Sequence, residues 1–241
     1  MTENEITLFN KNIDLCIKKL KETRIFIQNL DTIYMNNHNY KSKKDIPENC
    51  DYYEQRKTLN ITMLCYAINL DITIIQKHML LSIQEKDSIY FSKLLCMTIY
   101  EGINSIYKNI HYIKEHTKNE DFKLFKLKLS KVDRYRDILA SIRNHSSAHI
   151  DNDFITYYDS LISVFSLPLD QILCHFIDLL KFTQELCDII NKEQLIEQKE
   201  KLIQITITII ENLKNNGTSA NNELLQYQEE LLNFLMSNNE I

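Results

Sequence analysis

A chain of 241 residues with only two glycines, Gly102 and Gly217, and two prolines, Pro47 and Pro168, has few places to turn sharply. A β-rich fold of this length needs many tight turns, and those turns draw on Gly and Pro for their backbone angles. Scarcity of both, together with abundant Leu, Lys, Glu and Gln, predicts long helices joined by few connections. The high Ile content pulls weakly toward strand, because β-branching slightly disfavours helix. Hydrophobic periodicity decides for helix. Ile6, Phe9, Ile13, Cys16, Ile17, Leu20, Ile27, Leu30 and Tyr34 recur at three- and four-residue steps, the spacing of one helical face.

The same spacing predicts helices over about 5–35, 52–83 and 89–116, and a short one over 122–129. A further helix begins at Ser130, a good N-cap, with Asp133 in its first turn, and ends near 151–153, where Asp-Asn-Asp is poorly suited to a helix interior. Helices over about 153–165, 169–190, 192–213 and 221–236 follow. On the third, Glu101 and Asn104 sit one turn apart beside the apolar face. Gly217 suits a left-handed turn between the last two.

Composition excludes several functions. A formal net charge of -5 does not suit a chain built throughout as a polyanion binder. The six cysteines form no Cys-x-x-Cys pair, and five of them fall inside apolar helical patterns, so a zinc ribbon is not expected. Two glycines cannot supply a phosphate-cradling loop. The acidic, polar start is no secretory signal. No apolar run approaches the ~20 residues of a membrane span. The expectation is a cytoplasmic, reduced protein without a membrane segment.

Chemistry concentrates in one stretch, Arg143-Asn144-His145-Ser146-Ser147-Ala148-His149. Arginine carries a permanent charge and forks onto phosphate oxygens. Histidine titrates where proton transfer near neutrality needs it. On an ideal helix His149 shares the inward face of Ile138 and Ile142, while Arg143 lies about 120° away. One phosphate can be reached by both only if the helix loosens near Ser146-Ser147, or if the two act across a dimer. Taken from spacing alone, the competing account is plain: a histidine on an apolar face is more often a core residue, and an arginine is more often a solvated charge.

The stretch resembles the Arg-x(4–6)-His motif of the HEPN superfamily, small all-helical domains found in toxins, abortive-infection proteins and CRISPR-associated ribonucleases. The gap here is five residues, and Asn144 matches the polar residue that often follows the arginine. The resemblance covers about 52–190. It implies an all-α bundle of long antiparallel helices, taken over 1–190; residues 191–241, whose helices are thinner in aromatics, are read as a C-terminal helical extension. It implies Arg143 and His149 as the catalytic pair and Asn144 as a polar accessory. Glu101 is a weaker candidate for orienting the pair. His145, inside the gap, departs from the pattern and is either a spare proton carrier or an exposed residue. The implied activity is a metal-independent, cofactor-free endoribonuclease acting as a homodimer on RNA, restrained by an antitoxin or sensor partner.

Three further features have two readings each. Between 114 and 136 there are eight Lys or Arg against four Asp or Glu, either a guide for an RNA backbone or a solvated face. Tyr157 and Tyr158 either stack on a base or serve the core. His145 and His149 at a spacing of four, or His111 and His116 at five, carry no accompanying ligand pattern, so no metal is expected. The rival to the nuclease is a non-catalytic helical dimerisation or binding module, with Arg143 paired to a carboxylate.

Overall fold

The computed structural model describes residues 2–38, 42, 46, 50–82, 85–147, 154–215 and 221–237. Among them there is no strand, and the fold is all-α. The helices are α1 (Glu3–His38), α2 (Asp51–Leu81), α3 (Glu85–Lys108), α4 (Ile110–Glu115), α5 (Asn119–Asp133) and α6 (Arg136–Ile142). A π-helical segment, Arg143–Ser147, continues α6. Then come α7 (Phe154–Ser166), α8 (Leu169–Asn215) and α9 (Asn221–Ser237). The chain divides into two compact units, Met1–Cys187 and Asp188–Ile241.

The first unit is built around one apolar core. The predicted stripe of α3 supplies Leu95, Ile99, Ile103 and Ile106, all buried. Cys65 and Ile72 of α2, Phe125 and Leu129 of α5, Leu139 and Ile142 of α6, and Ile172, Phe176 and Leu179 of α8 join the same cluster. Each such side chain contributes about 1.5–3 kcal/mol on leaving water. Gly102 marks the closest approach in this core. A Cβ built there would collide with the Phe176 ring and sit 3.3 Å from Ile68 Cδ1. Helices α2, α3 and α8 can meet this tightly only because the side chain is missing. In the second unit, Lys214 Nζ at the end of α8 pairs with Glu229 Oε1 of α9 at 2.8 Å.

Packing of α1 on α2 includes a buried polar tie. The Tyr52 hydroxyl donates to Asp31 Oδ1 at 2.6 Å, and Arg56 Nε donates to the same oxygen at 3.0 Å. Burial pushes the Tyr52 phenol up to about 12, and the neighbouring Asp31 carboxylate adds to the shift.

Several predicted boundaries are corrected. The helix expected over 89–116 breaks at Asn109, whose side chain donates to the Ser105 carbonyl at 2.8 Å. That local bond competes with continued helix. Ser130 does not cap a new helix: it lies inside α5, with its hydroxyl donating to the Leu127 carbonyl. The break comes later, at Arg134–Tyr135, where the Tyr135 N–H turns back to the Val132 carbonyl at 3.0 Å. No break separates 190 from 192, and α8 runs through as one helix of 47 residues. The expectation of no membrane-length apolar segment also needs correction. Helix α2 has an 18-residue window of mean hydropathy 1.5, long and apolar enough by composition, with 44% of that window buried inside the fold. Pro47, Gly217 and 151–153, expected at turns and a helix end, lie outside the described residues.

Candidate functional site

Helix α6 is short, and its two fully buried residues, Leu139 and Ile142, anchor it to the core. Arg143 follows directly, with right-handed helical backbone angles (φ -59°, ψ -45°). From there to Ser147 the backbone adopts the wider π-helical path, in which hydrogen bonds span five residues instead of four. The straight α-helix on which the 120° offset was reckoned is therefore not kept between Arg143 and Ser147. The loosening begins at Arg143 itself, three residues before the Ser146-Ser147 pair where it was expected.

Arg143 reaches α3. Its Nε donates to Glu101 Oε1 at 3.0 Å, and its Nη1 donates to Asn144 Oδ1 at 3.2 Å. The guanidinium is thus held at two of its three nitrogens, by a residue 42 positions earlier and by its own neighbour. Its side chain remains 38% exposed, and Nη2 has no partner among the described residues. An ion pair this open to water adds about 0–1 kcal/mol to stability. Its effect is to orient the fork more than to hold the fold. His145 is half-buried on the same π-helical turn. The structure therefore brings together Arg143, Asn144 and Glu101, with His145 beside them in sequence. His149 lies outside the described residues.

A second arginine completes a polar seam between α3 and α6 that sequence reasoning missed. Arg136 Nη2 donates to Asn104 Oδ1 at 2.7 Å. Its guanidinium stacks over the Tyr107 ring, 4.7 Å from the centroid, an arrangement favourable to a cation. Asp133 Oδ1 lies 3.9 Å from Arg136 Nη1. Burial raises the Tyr107 phenol, and its hydrogen bond to Asp133 raises it further. The signal was present in the register: Asn104 follows Glu101 by one turn, and Arg136 precedes Arg143 by two.

The other candidates fall elsewhere. Tyr157 is half-buried, with Lys93 Nζ 5.2 Å over its ring, whereas Tyr158 is exposed. His116 Nε2 lies 3.7 Å from Glu54 Oε2, and its Nδ1 is 2.9 Å from the Tyr112 carbonyl oxygen. His111 is exposed. No cluster of three metal-ligating side chains occurs among the described residues. A groove of about 490 Å³ between α1, α2 and α8 is lined by Leu8, Asn12, Thr73 and Lys181, and by none of the candidate residues. The chain matches no protein-family model, no curated protein and no solved structure.

Proposed function

We propose that the chain is a metal-independent endoribonuclease of a toxin or anti-phage defence system, with a site built from Arg143 and His149 in a homodimer. The observation that carries this reading is the setting of Arg143. A guanidinium held at Nε by Glu101 and at Nη1 by Asn144 on a widened turn keeps its Nη2 free, among the described residues, for an anion. In the proposed reaction a histidine takes the ribose 2′-hydroxyl proton and the 2′-oxygen attacks the adjacent phosphorus. The bond to the 5′-oxygen breaks, leaving a cyclic phosphate and a 5′-hydroxyl. Arg143 stabilises the charge that grows on the phosphate oxygens. A histidine of the second copy protonates the leaving oxygen. The need for a 2′-hydroxyl makes RNA, and not DNA, the substrate. Such an activity in a cytoplasm requires restraint by an antitoxin or sensor partner.

Helix α7 supports the two-copy arrangement. It packs against the π-helical segment. Its outer face carries Ile155, Tyr158, Ile162 and Phe165, between 49% and 72% exposed. They stand at steps of three, four and three residues, one face of a helix. Asp159 is the one charged residue of α7, so two such faces meet without like-charge repulsion along the stripe. Each copy would bury roughly 400–500 Å² of apolar surface there, over half of the ~800 Å² that one side of a standard interface needs.

The second reading, a non-catalytic dimerisation module, is favoured by the Arg143–Glu101 ion pair itself, which satisfies the arginine without RNA. Incubating total RNA in EDTA with the native chain, His149→Ala and Arg143→Ala separates the two. The nuclease reading expects cleavage by the native chain and a loss of at least a hundredfold in each folded variant. Cleavage that persists in a variant removes that residue from the mechanism. An inert native chain that still dimerises supports the module.

A further inference from the structure

The geometry points to a second phosphate-binding residue: we propose that Arg136 grips the RNA backbone one or two linkages from the scissile phosphate that Arg143 holds. This rests on the ribonuclease reading of Arg143. The two arginines are seven residues apart on continuous α-helical backbone, so they share a face within about 20° and stand about 10.5 Å apart along the axis. Both are anchored to the same side of α3, Arg143 through Glu101 and Arg136 through Asn104. Two guanidiniums in register along one seam form a track, and a single strand carries its charges at regular intervals.

The anchors differ in charge, and that difference assigns the roles. Glu101 is acidic and balances Arg143. Asn104 is neutral, so the hydrogen bond that orients Arg136 takes nothing from its charge, and the balancing carboxylate is the more distant Asp133. The acidic group facing Arg136 is Asp133. Its Oδ1 stands 3.9 Å from Nη1, beyond hydrogen-bond reach, and accepts no hydrogen bond among the described residues. Tyr107 places its ring face 4.7 Å from the guanidinium carbon. The Arg136 side chain is 39% exposed, comparable with Arg143. A fork oriented by a neutral amide, with its Nη1 ion-paired but not hydrogen-bonded to Asp133 and more than a third of its side chain exposed, can still take a phosphate from solvent. Lys131 and Arg134, on the preceding turns, are also exposed.

The proposal separates binding from chemistry. RNA cleavage by the native chain, Arg136→Ala, Arg136→Lys and Asn104→Asp is measured on a decanucleotide and on a dinucleotide. The dinucleotide has one phosphate and does not reach Arg136. Arg136→Ala is expected to raise KM for the decamer about tenfold, with kcat within twofold and dinucleotide kinetics unchanged. Arg136→Lys restores part of the loss. Asn104→Asp, which keeps the arginine but cancels its charge, weakens the decamer as Arg136→Ala does. A DNA decamer, bound but not cut, is titrated by fluorescence anisotropy against salt. Loss of Arg136 should lower the salt slope by about one released ion. An equal loss of kcat/KM on both substrates, or an unchanged DNA affinity and salt slope, overturns the proposal. A native chain that binds the DNA through Arg136 but never cuts RNA defeats the nuclease reading and leaves the phosphate site standing.

Discussion

At the scale of the residue, Gly102 shows how a missing side chain can sit next to a candidate site and control it. Helix propensity alone favours Gly102→Ala by about 1 kcal/mol. Here the new Cβ meets the Phe176 ring, which is fully buried in the core. Overpacking a rigid core costs about 1–3 kcal/mol, so the contact outweighs the propensity. Thermal unfolding followed by circular dichroism should place the variant a few degrees below the native chain. A rise in Tm would mean that α3 and Phe176 are less closely packed than described. Glu101 is the preceding residue, so a shift of α3 to relieve the clash would also move the carboxylate that orients Arg143. At this scale Arg143 and Asn144 were legible from residue type and adjacency. The Arg136–Asn104 contact was legible only as a register, one turn from Glu101 and two from Arg143, and that register gains meaning only once α6 is known to lie along α3.

At the scale of the element, periodicity located the helices but not all of their ends. The α3 face read from Leu95, Ile99, Ile103 and Ile106 is the buried one. The breaks at Asn109 and Arg134–Tyr135 were missed, and breaks at 130 and 191 were expected where the helix continues. A serine with its hydroxyl on a carbonyl three residues back is tolerated inside a helix, as at Ser130. The bend at 134–135 redirects the chain so that Leu139 and Ile142 enter the core. Helix α7 was placed correctly, but its outward apolar stripe emerges only once the inward face is known. That stripe carries a prediction. Sedimentation equilibrium should find the native chain dimeric at micromolar concentration and Ile162→Asp monomeric, with unchanged helical content. A dimer that survives Ile162→Asp with the same Kd would place the contact on another face.

At the scale of the whole molecule, the cysteines report how the core opens. Cys65, Cys96 and Cys187 are fully buried, whereas Cys174 is exposed. Burial pushes the Cys96 thiol up to about 12 and the Cys65 thiol higher still. A pH near 8 lies far below both raised values, so both thiols stay protonated and the reactive thiolate is scarce until the core opens. An aromatic disulfide reagent at pH 8 should modify Cys174 at once. The three core thiols should follow at the rate of global unfolding. Faster reaction of Cys96 alone would identify a local opening around α3.

The sequence by itself determined that the chain is all helix and which faces are apolar. Both follow from local rules: too few Gly and Pro residues for tight turns, and a repeat of about 3.6 residues that any short window displays. It also concentrated the candidate chemistry in one heptapeptide. Only the tertiary structure decided which polar groups meet, because Arg143 with Glu101 and Arg136 with Asn104 join residues 42 and 32 positions apart. Those meetings depend on how α6 lies along α3. That in turn depends on the bend at Tyr135 and on the close approach that Gly102 allows, neither of which a one-dimensional pattern encodes.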